Sequence, residues 1–173
     1  MTHFEAVQWL PVELPRVFAF FSFPENLPRI MPRELRVTTE WTALVPPSGS
    51  LQSVLLGGES NMAAGRGSEF VFSFRPLPFV PMKMQWKARI EEYEPNRFFR
   101  DTQLSGPMRH WNHRHEFESE TRNGIEGTLI RDFVEFEIGF GWIGKLLARY
   151  FVLPAMRSSF EKRQALVERA LQF

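Results

Sequence analysis

Between Arg109 and Glu118 the chain alternates residue by residue. Trp111, His113, His115 and Phe117 fall on one side, and His110, Asn112, Arg114, Glu116 and Glu118 on the other. Successive side chains of a strand point to opposite faces, so this spacing predicts a half-buried β-strand with a polar outer face. Two histidines share its inner face with two large aromatics. That mixture marks a mostly apolar wall carrying a few fixed polar groups.

The same pattern organises the rest of the chain. His3 to Leu10 reads as a strand ended by Pro11. Leu14 to Phe21 reads as a short apolar helix with Pro15 in its first turn. Pro24 to Ile30 reads as a second short helix, closed by Pro32. Leu35 to Thr42 alternates, with Leu35, Val37, Thr39 and Trp41 expected inward. Phe70, Phe72 and Phe74 share one face of the next strand; Met84, Trp86, Ala88 and Ile90 share one face of the strand after that. Arg97 to Leu104 is a strand whose facing the pattern leaves open. Thr128, Ile130, Asp132, Val134, Phe136 and Ile138 share a face of the last strand. Glycines 139, 141 and 144 then lead into a helix running to about Leu171. Its expected buried stripe passes through Leu147, Tyr150, Leu153, Met156, Phe160, Val167 and Leu171, with a kink or restart at Pro154.

Two stretches break the periodicity. Val45 to Gly67 is a long irregular connection rich in proline, serine and glycine. Pro76 to Pro81 cannot sit in a central strand, because proline offers no ladder donor. Both carry apolar residues, so at least one of them is expected to cover an opening to the pocket as a mobile lid.

The order is strand, two short helices, six strands and one long helix. Short strands joined by turns make an antiparallel sheet, here of seven strands, and one apolar sheet face needs a cover. The long C-terminal helix is the only element large enough. The expected class is α+β, with the sheet wrapped around that helix and a cavity between them. Composition adds bulk without hydroxyl groups: 18 Phe and 5 Trp against 2 Tyr. A net charge of +1 gives no concentrated basic surface for nucleic acid. With no cysteine there is neither a disulfide framework nor thiolate chemistry. No apolar run reaches transmembrane length and no signal peptide is visible, so the expected location is the cytoplasm.

Certain residues carry a likeness to a known family. They are Pro24-Glu-Asn-Leu27 with Pro32, then Trp86 and Ile90 before Glu94-Pro95, and Phe98, Asp101, Gln103 and Gly106-Pro107. They continue with the Trp111–His113–His115–Phe117 strand, Gly127-Thr128, Asp132, Val134, and Gly141 with Gly144. In this order they resemble the START-like superfamily, also called SRPBCC or helix-grip proteins. The superfamily groups steroidogenic lipid-transfer domains, plant pathogenesis-related allergens and polyketide cyclases. The likeness is strongest to its bacterial cyclase/dehydrase-like ligand-binding domains. It implies one ligand-binding domain over residues 1–173, with the segment at about 45–66 departing from the pattern as an insertion. It also implies a hydrophobic small molecule as partner, whether lipid, aromatic or polyketide-like. No cofactor is expected.

The expected ligand-binding set is Phe70, Phe72, Phe74, Met84, Trp86, Trp111, Phe117, Val134, Phe136 and Phe160, with His113, His115 and Asp132 as its polar end. If Glu118 lies opposite Gly127, His113 falls opposite Asp132 and His115 opposite Ile130. Three readings of these polar residues compete. They are a metal site of both imidazoles plus Asp132, an acid–base pair with His113 or His115 acting on a bound carbonyl compound, and a buried network that satisfies itself. The network is favoured and no bound metal is expected. Nucleophilic catalysis lacks a Gly-x-Ser-x-Gly elbow, and Gly65-Arg-Gly67 is no phosphate loop. The cations of the last helix, Lys145, Arg149, Arg157, Lys162, Arg163 and Arg169, are expected on a solvated outer face. Carriage of a hydrophobic molecule is the leading function. A cyclase- or dehydratase-like enzyme and an interaction module without a cavity remain as alternatives.

Overall fold

The computed structural model describes residues 1–47, 63–76 and 82–171. Strand β1 (Thr2–Leu10) precedes helix α1 (Leu14–Ser22), which carries Pro15 in its first turn. Phe23 returns to an extended backbone before Pro24 and so ends the helix. A 3₁₀ turn (Pro24–Asn26) feeds the one-turn helix α2 (Leu27–Ile30). Then come β2 (Thr38–Ala43), β3 (Glu69–Phe74), β4 (Met84–Glu94), β5 (Phe98–Ser105), β6 (His110–Arg122) and β7 (Ile125–Glu137). Helix α3 (Gly141–Leu147) runs through a π turn (Ala148–Val152) into α4 (Leu153–Leu171).

The strands form one antiparallel sheet in the order β1-β7-β6-β5-β4-β3-β2. Inner positions of β3 pair with inner positions of β4: Phe70 with Ala88, Phe72 with Trp86, and Phe74 with Met84. Two apolar cores lie between the sheet and the helices. One gathers Phe18, Phe70, Phe99, Phe117, Ile130, Val167 and Leu171 under α1. The other gathers Phe4, Val134, Phe136, Ala148 and Met156 under the start of α4. The first is aromatic at its centre: the Phe18 ring meets Tyr93, Phe99 and Phe117 edge-on at 5.4, 6.1 and 5.1 Å.

Three expectations are corrected. The first is the β6–β7 register. Asn123 and Gly124 both have positive φ, 50° and 78°, and make a two-residue turn of the kind whose twist suits a hairpin. That turn sets Arg122 opposite Ile125, which puts His115 opposite Asp132 and His113 opposite Val134. The expected pairing is therefore slipped by two residues, which preserves facing because the side-chain period is two.

The second is β2. Leu35 closes a 3₁₀ turn instead of opening a strand, and Arg36 follows at φ 46°. A bulge between Thr39 and Trp41 then reverses the facing. Trp41 pairs with Val71 and stands exposed, with Lys87 5.7 Å from its ring.

The third is the helix stripe. Pro154 has no N–H for the carbonyl of Tyr150. The helix absorbs this with a π turn, in which the Leu153 N–H reaches back to the carbonyl of Ala148. The inward residues before Met156 are Gly144, Ala148 and Val152, at steps of four, with the expected Leu153 beside Val152. Leu147 and Tyr150 lie outside, in an exposed apolar run with Trp142, Leu146 and Phe151.

The expected lid segments fall largely on residues 48–62 and 77–81, outside the described ones. Their flanks are anchored. Ala64 donates to the carbonyl of Ser22 and Gly65 to that of Val45, and both alanines of the pair Ala63-Ala64 are buried.

Candidate functional site

A polar layer runs through the molecule where the two apolar cores meet. On β6, His113 and His115 lie between Trp111 at one end and Phe117 at the other. On β7, Asp132 lies between Ile130 in the α1 core and Val134 in the other. On α4, Arg163 lies between Phe160 and Val167. On β5, Asp101 pairs with His113, and the preceding inward residue, Phe99, pairs with His115. Four elements thus place a polar side chain at one level.

Asp132 is the hub. Its Oδ1 accepts a hydrogen bond from His113 Nε2 at 2.9 Å, an ionised carboxylate having nothing to donate. His115 Nδ1 lies 2.6 Å from the same oxygen, but off the line a hydrogen bond needs, so attraction of charge holds it there. Arg163 Nη1 is 3.9 Å away. The Arg163 guanidinium is flanked by the rings of Phe21 and Phe160 at 5.3 and 5.2 Å. Both histidines, Asp132 and Arg163 are buried. Asp101 closes the group from the other side: its Oδ2 is 3.9 Å from His113 Nδ1 and 3.6 Å from His115 Nε2.

These neighbours pull the titrations apart. At His113, burial and then the neighbouring His115 push the imidazole below its ordinary value, outweighing Asp132. At His115, burial works against the charged ring, yet the Asp132 and Asp101 carboxylates outweigh it and raise the value. At Asp132, burial opposes ionisation, but Arg163, His115 and the His113 hydrogen bond hold the carboxyl well below the usual range. The layer therefore contains a neutral-leaning and a charge-leaning imidazole side by side, with ring centroids 3.8 Å apart.

The expected binding residues divide into two groups. Phe117, Val134 and Phe136 are packed inside the cores, and Phe70 is buried and stacked on Phe72 at 5.8 Å. Phe72, Phe74, Met84, Trp86 and Trp111 are only half-buried. Phe74 meets Trp86 at 6.2 Å, Trp86 meets Trp111 edge-on at 4.7 Å, and Trp111 meets His113 at 6.0 Å. The Phe160 ring lies 5.9 Å beyond His113. These contacts make one continuous aromatic wall across β3, β4 and β6 that ends on the polar layer. A surface cleft of about 250 Å³ opens between β1 and α4, and Phe160 lies between it and His113.

Sequence reasoning missed two members of the layer. Asp101 stood on the strand of undecided facing. Arg163 was grouped with the outward cations, although it falls on the stripe of Met156, Phe160, Val167 and Leu171 at helical spacing. That spacing was the signal that separates it from Lys162 and Arg169. As a set that could hold a metal, the structure offers Asp101, His113 and His115, each with one ligand atom within 4.8 Å of the others.

No family model matches the sequence, and no curated protein matches it. Solved structures do match over nearly the whole chain. One is TTHA0849 from Thermus thermophilus, with 16% identity, a TM-score of 0.61, and 98% of this chain and 97% of that one covered. A second is XoxI from Bacillus cereus, at 10% identity and TM-score 0.61, covering 99% and 96%. A third is Ara h 8.0201, at 11% identity and TM-score 0.59, covering 98% and 97%. At these identities the likeness carries the fold, which is the α+β helix-grip fold: a seven-stranded antiparallel sheet around a long C-terminal helix. Among the described residues no helix is long and apolar enough to cross a membrane.

Proposed function

We propose that this chain is a cytoplasmic binding or carrier domain for a hydrophobic small molecule, allied to the cyclase/dehydrase-like branch of the START-like superfamily. The ligand lies on the concave face, against Phe72, Phe74, Met84, Trp86 and Trp111. One observation carries the reading: this wall of large apolar side chains is half-open, whereas the two cores on either side are closed. Aromatic rings left partly wet on an inner face are the lining that a planar or branched apolar ligand needs. Asp101, whose side chain is the most exposed of the polar layer at the wall's end, supplies the oriented contact. Binding is preferred to catalysis because His113 and His115 are 7% and 5% exposed, which leaves a reacting ligand little imidazole to reach.

Native mass spectrometry of freshly purified protein is expected to show a retained small molecule. Trp86→Ala should lose that mass and bind an apolar fluorescent probe more weakly. Protein that carries nothing, and binds such probes equally with and without Trp86, would instead favour the interaction module whose interior is filled.

A further inference from the structure

We infer that Asp101, His113 and His115 form a binding site for one divalent first-row transition ion, with Asp132 and Arg163 as the outer partners that orient it. The inference is independent of the carrier reading. Asp132 engages one nitrogen of each ring, His113 Nε2 and His115 Nδ1. That leaves His113 Nδ1 and His115 Nε2, and both face Asp101 Oδ2, at 3.9 and 3.6 Å. These separations are too long for hydrogen bonds. They match two atoms that share one ion at about 2.1 Å with ligand–metal–ligand angles of roughly 115–135°.

The chemistry of the surroundings agrees. In a ring whose Nε2–H donates to Asp132, Nδ1 carries a lone pair. At His113 that lone pair is turned toward a carboxylate oxygen across a gap, an arrangement of two acceptors that a cation between them relieves. A carboxylate holding the far nitrogen of a metal-bound histidine is the usual outer partner of such a ligand, fixing its tautomer and ring orientation. Here Asp132 holds His113 in this way by a hydrogen bond and lies 2.6 Å from the far nitrogen of His115. Arg163 balances Asp132, which lets Asp101 direct its charge inward. The Asp101 side chain is 20% exposed, so an ion has a hydrated approach to the site. Two imidazoles and one carboxylate suit zinc or iron(II) and leave coordination positions for water or a ligand oxygen.

The expectation of no metal took Asp132 as the third ligand. The structure shows Asp132 occupied and brings Asp101 in its place.

Protein stripped with chelator is titrated with cobalt(II), followed by its visible bands, and zinc is used to displace it. The expected result is one equivalent bound, with two hyperfine-shifted imidazole sets in the proton spectrum. Asp101→Asn, at a partly exposed position, should weaken binding by at least roughly tenfold while near-ultraviolet circular dichroism stays native. His3→Ala, which removes the exposed imidazole beside Glu135, should change nothing. The site is overturned by failure to bind an equivalent, by affinity unchanged in Asp101→Asn, or by loss of the ion in His3→Ala. The imidazole count in the unaltered protein decides the matter even if Asp101→Asn does not fold.

Discussion

Asp132 receives two imidazoles and approaches a guanidinium on a strand face where Ile130, Val134 and Phe136 are its apolar neighbours. Removing it strands buried polar groups in a low-dielectric layer. Asp132→Ala is therefore expected to destabilise the protein by about 3–5 kcal/mol in urea titration. Arg163→Met leaves the carboxylate with its histidines, and the double variant should lose less than the sum of the singles. Strict additivity would mean that Asp132 and Arg163 do not act on each other. Tyr93 makes a second, separate test. Burial pushes its phenol up from 10.0 to about 12, against a hydrogen bond with Ser22. The folded value lies above the unfolded one, so this contribution is intact below pH 10 and drains away as pH rises from 10 through 12. Tyr93→Phe should flatten that part of the stability profile; parallel slopes for the two proteins would clear Tyr93 of it. At this scale the sequence was readable wherever alternation decides facing. Alternation puts His113, His115 and Asp132 on one face, and they meet there although the pairing is slipped by two residues from the expected one. Arg163 is harder to place because its charge points to solvent while its spacing puts it on the buried stripe, and Asp101 because its strand carries no clear apolar face.

The elements themselves were legible in kind, and their exceptions have local causes. A proline moved the helix stripe by one position, since its missing donor forced a π turn upstream. A bulge turned Trp41 outward. Neither a π turn nor a bulge changes composition or the local apolar count, so the periodicity across each read as unbroken. The β1–β7 pair shows a constraint of the opposite kind, written into a single residue. A Cβ placed on Gly127 would come 2.3 Å from the carbonyl oxygen of Leu10 and 2.6 Å from the Trp9 ring. The strand can lie this close only because the side chain is absent. Gly127→Ala is expected to cost about 1–3 kcal/mol by overpacking. It should also alter Trp9 emission, since the Trp9 Nε1–H donates to the carbonyl of Glu120 nearby. An unchanged denaturation midpoint would show that the edge yields freely.

Across the whole molecule, the polar layer is assembled from parts distant in sequence: β5, β6, β7 and α4 each contribute to it. The sheet is distant in the same way, because among the described residues β1 has one sheet neighbour, β7, and Leu10 meets Thr128 while Thr2 meets Phe136. This has a consequence in time. On the ribosome β1 is made before the other strands of the sheet, yet its partner follows roughly 120 residues later, so Phe4 and Leu10 wait without that strand to bury against. Closing so long a loop is slow, and folding on the scale of milliseconds to seconds is expected. If the seam closes last, Phe4→Ala should speed unfolding in stopped-flow experiments and leave the folding rate nearly untouched. A folding rate that falls in step with stability would put the seam in the nucleus instead. In the first case the interval before β7 is complete is when the chain is most exposed to misassociation, and the earliest-made strand is the one left unpaired throughout it.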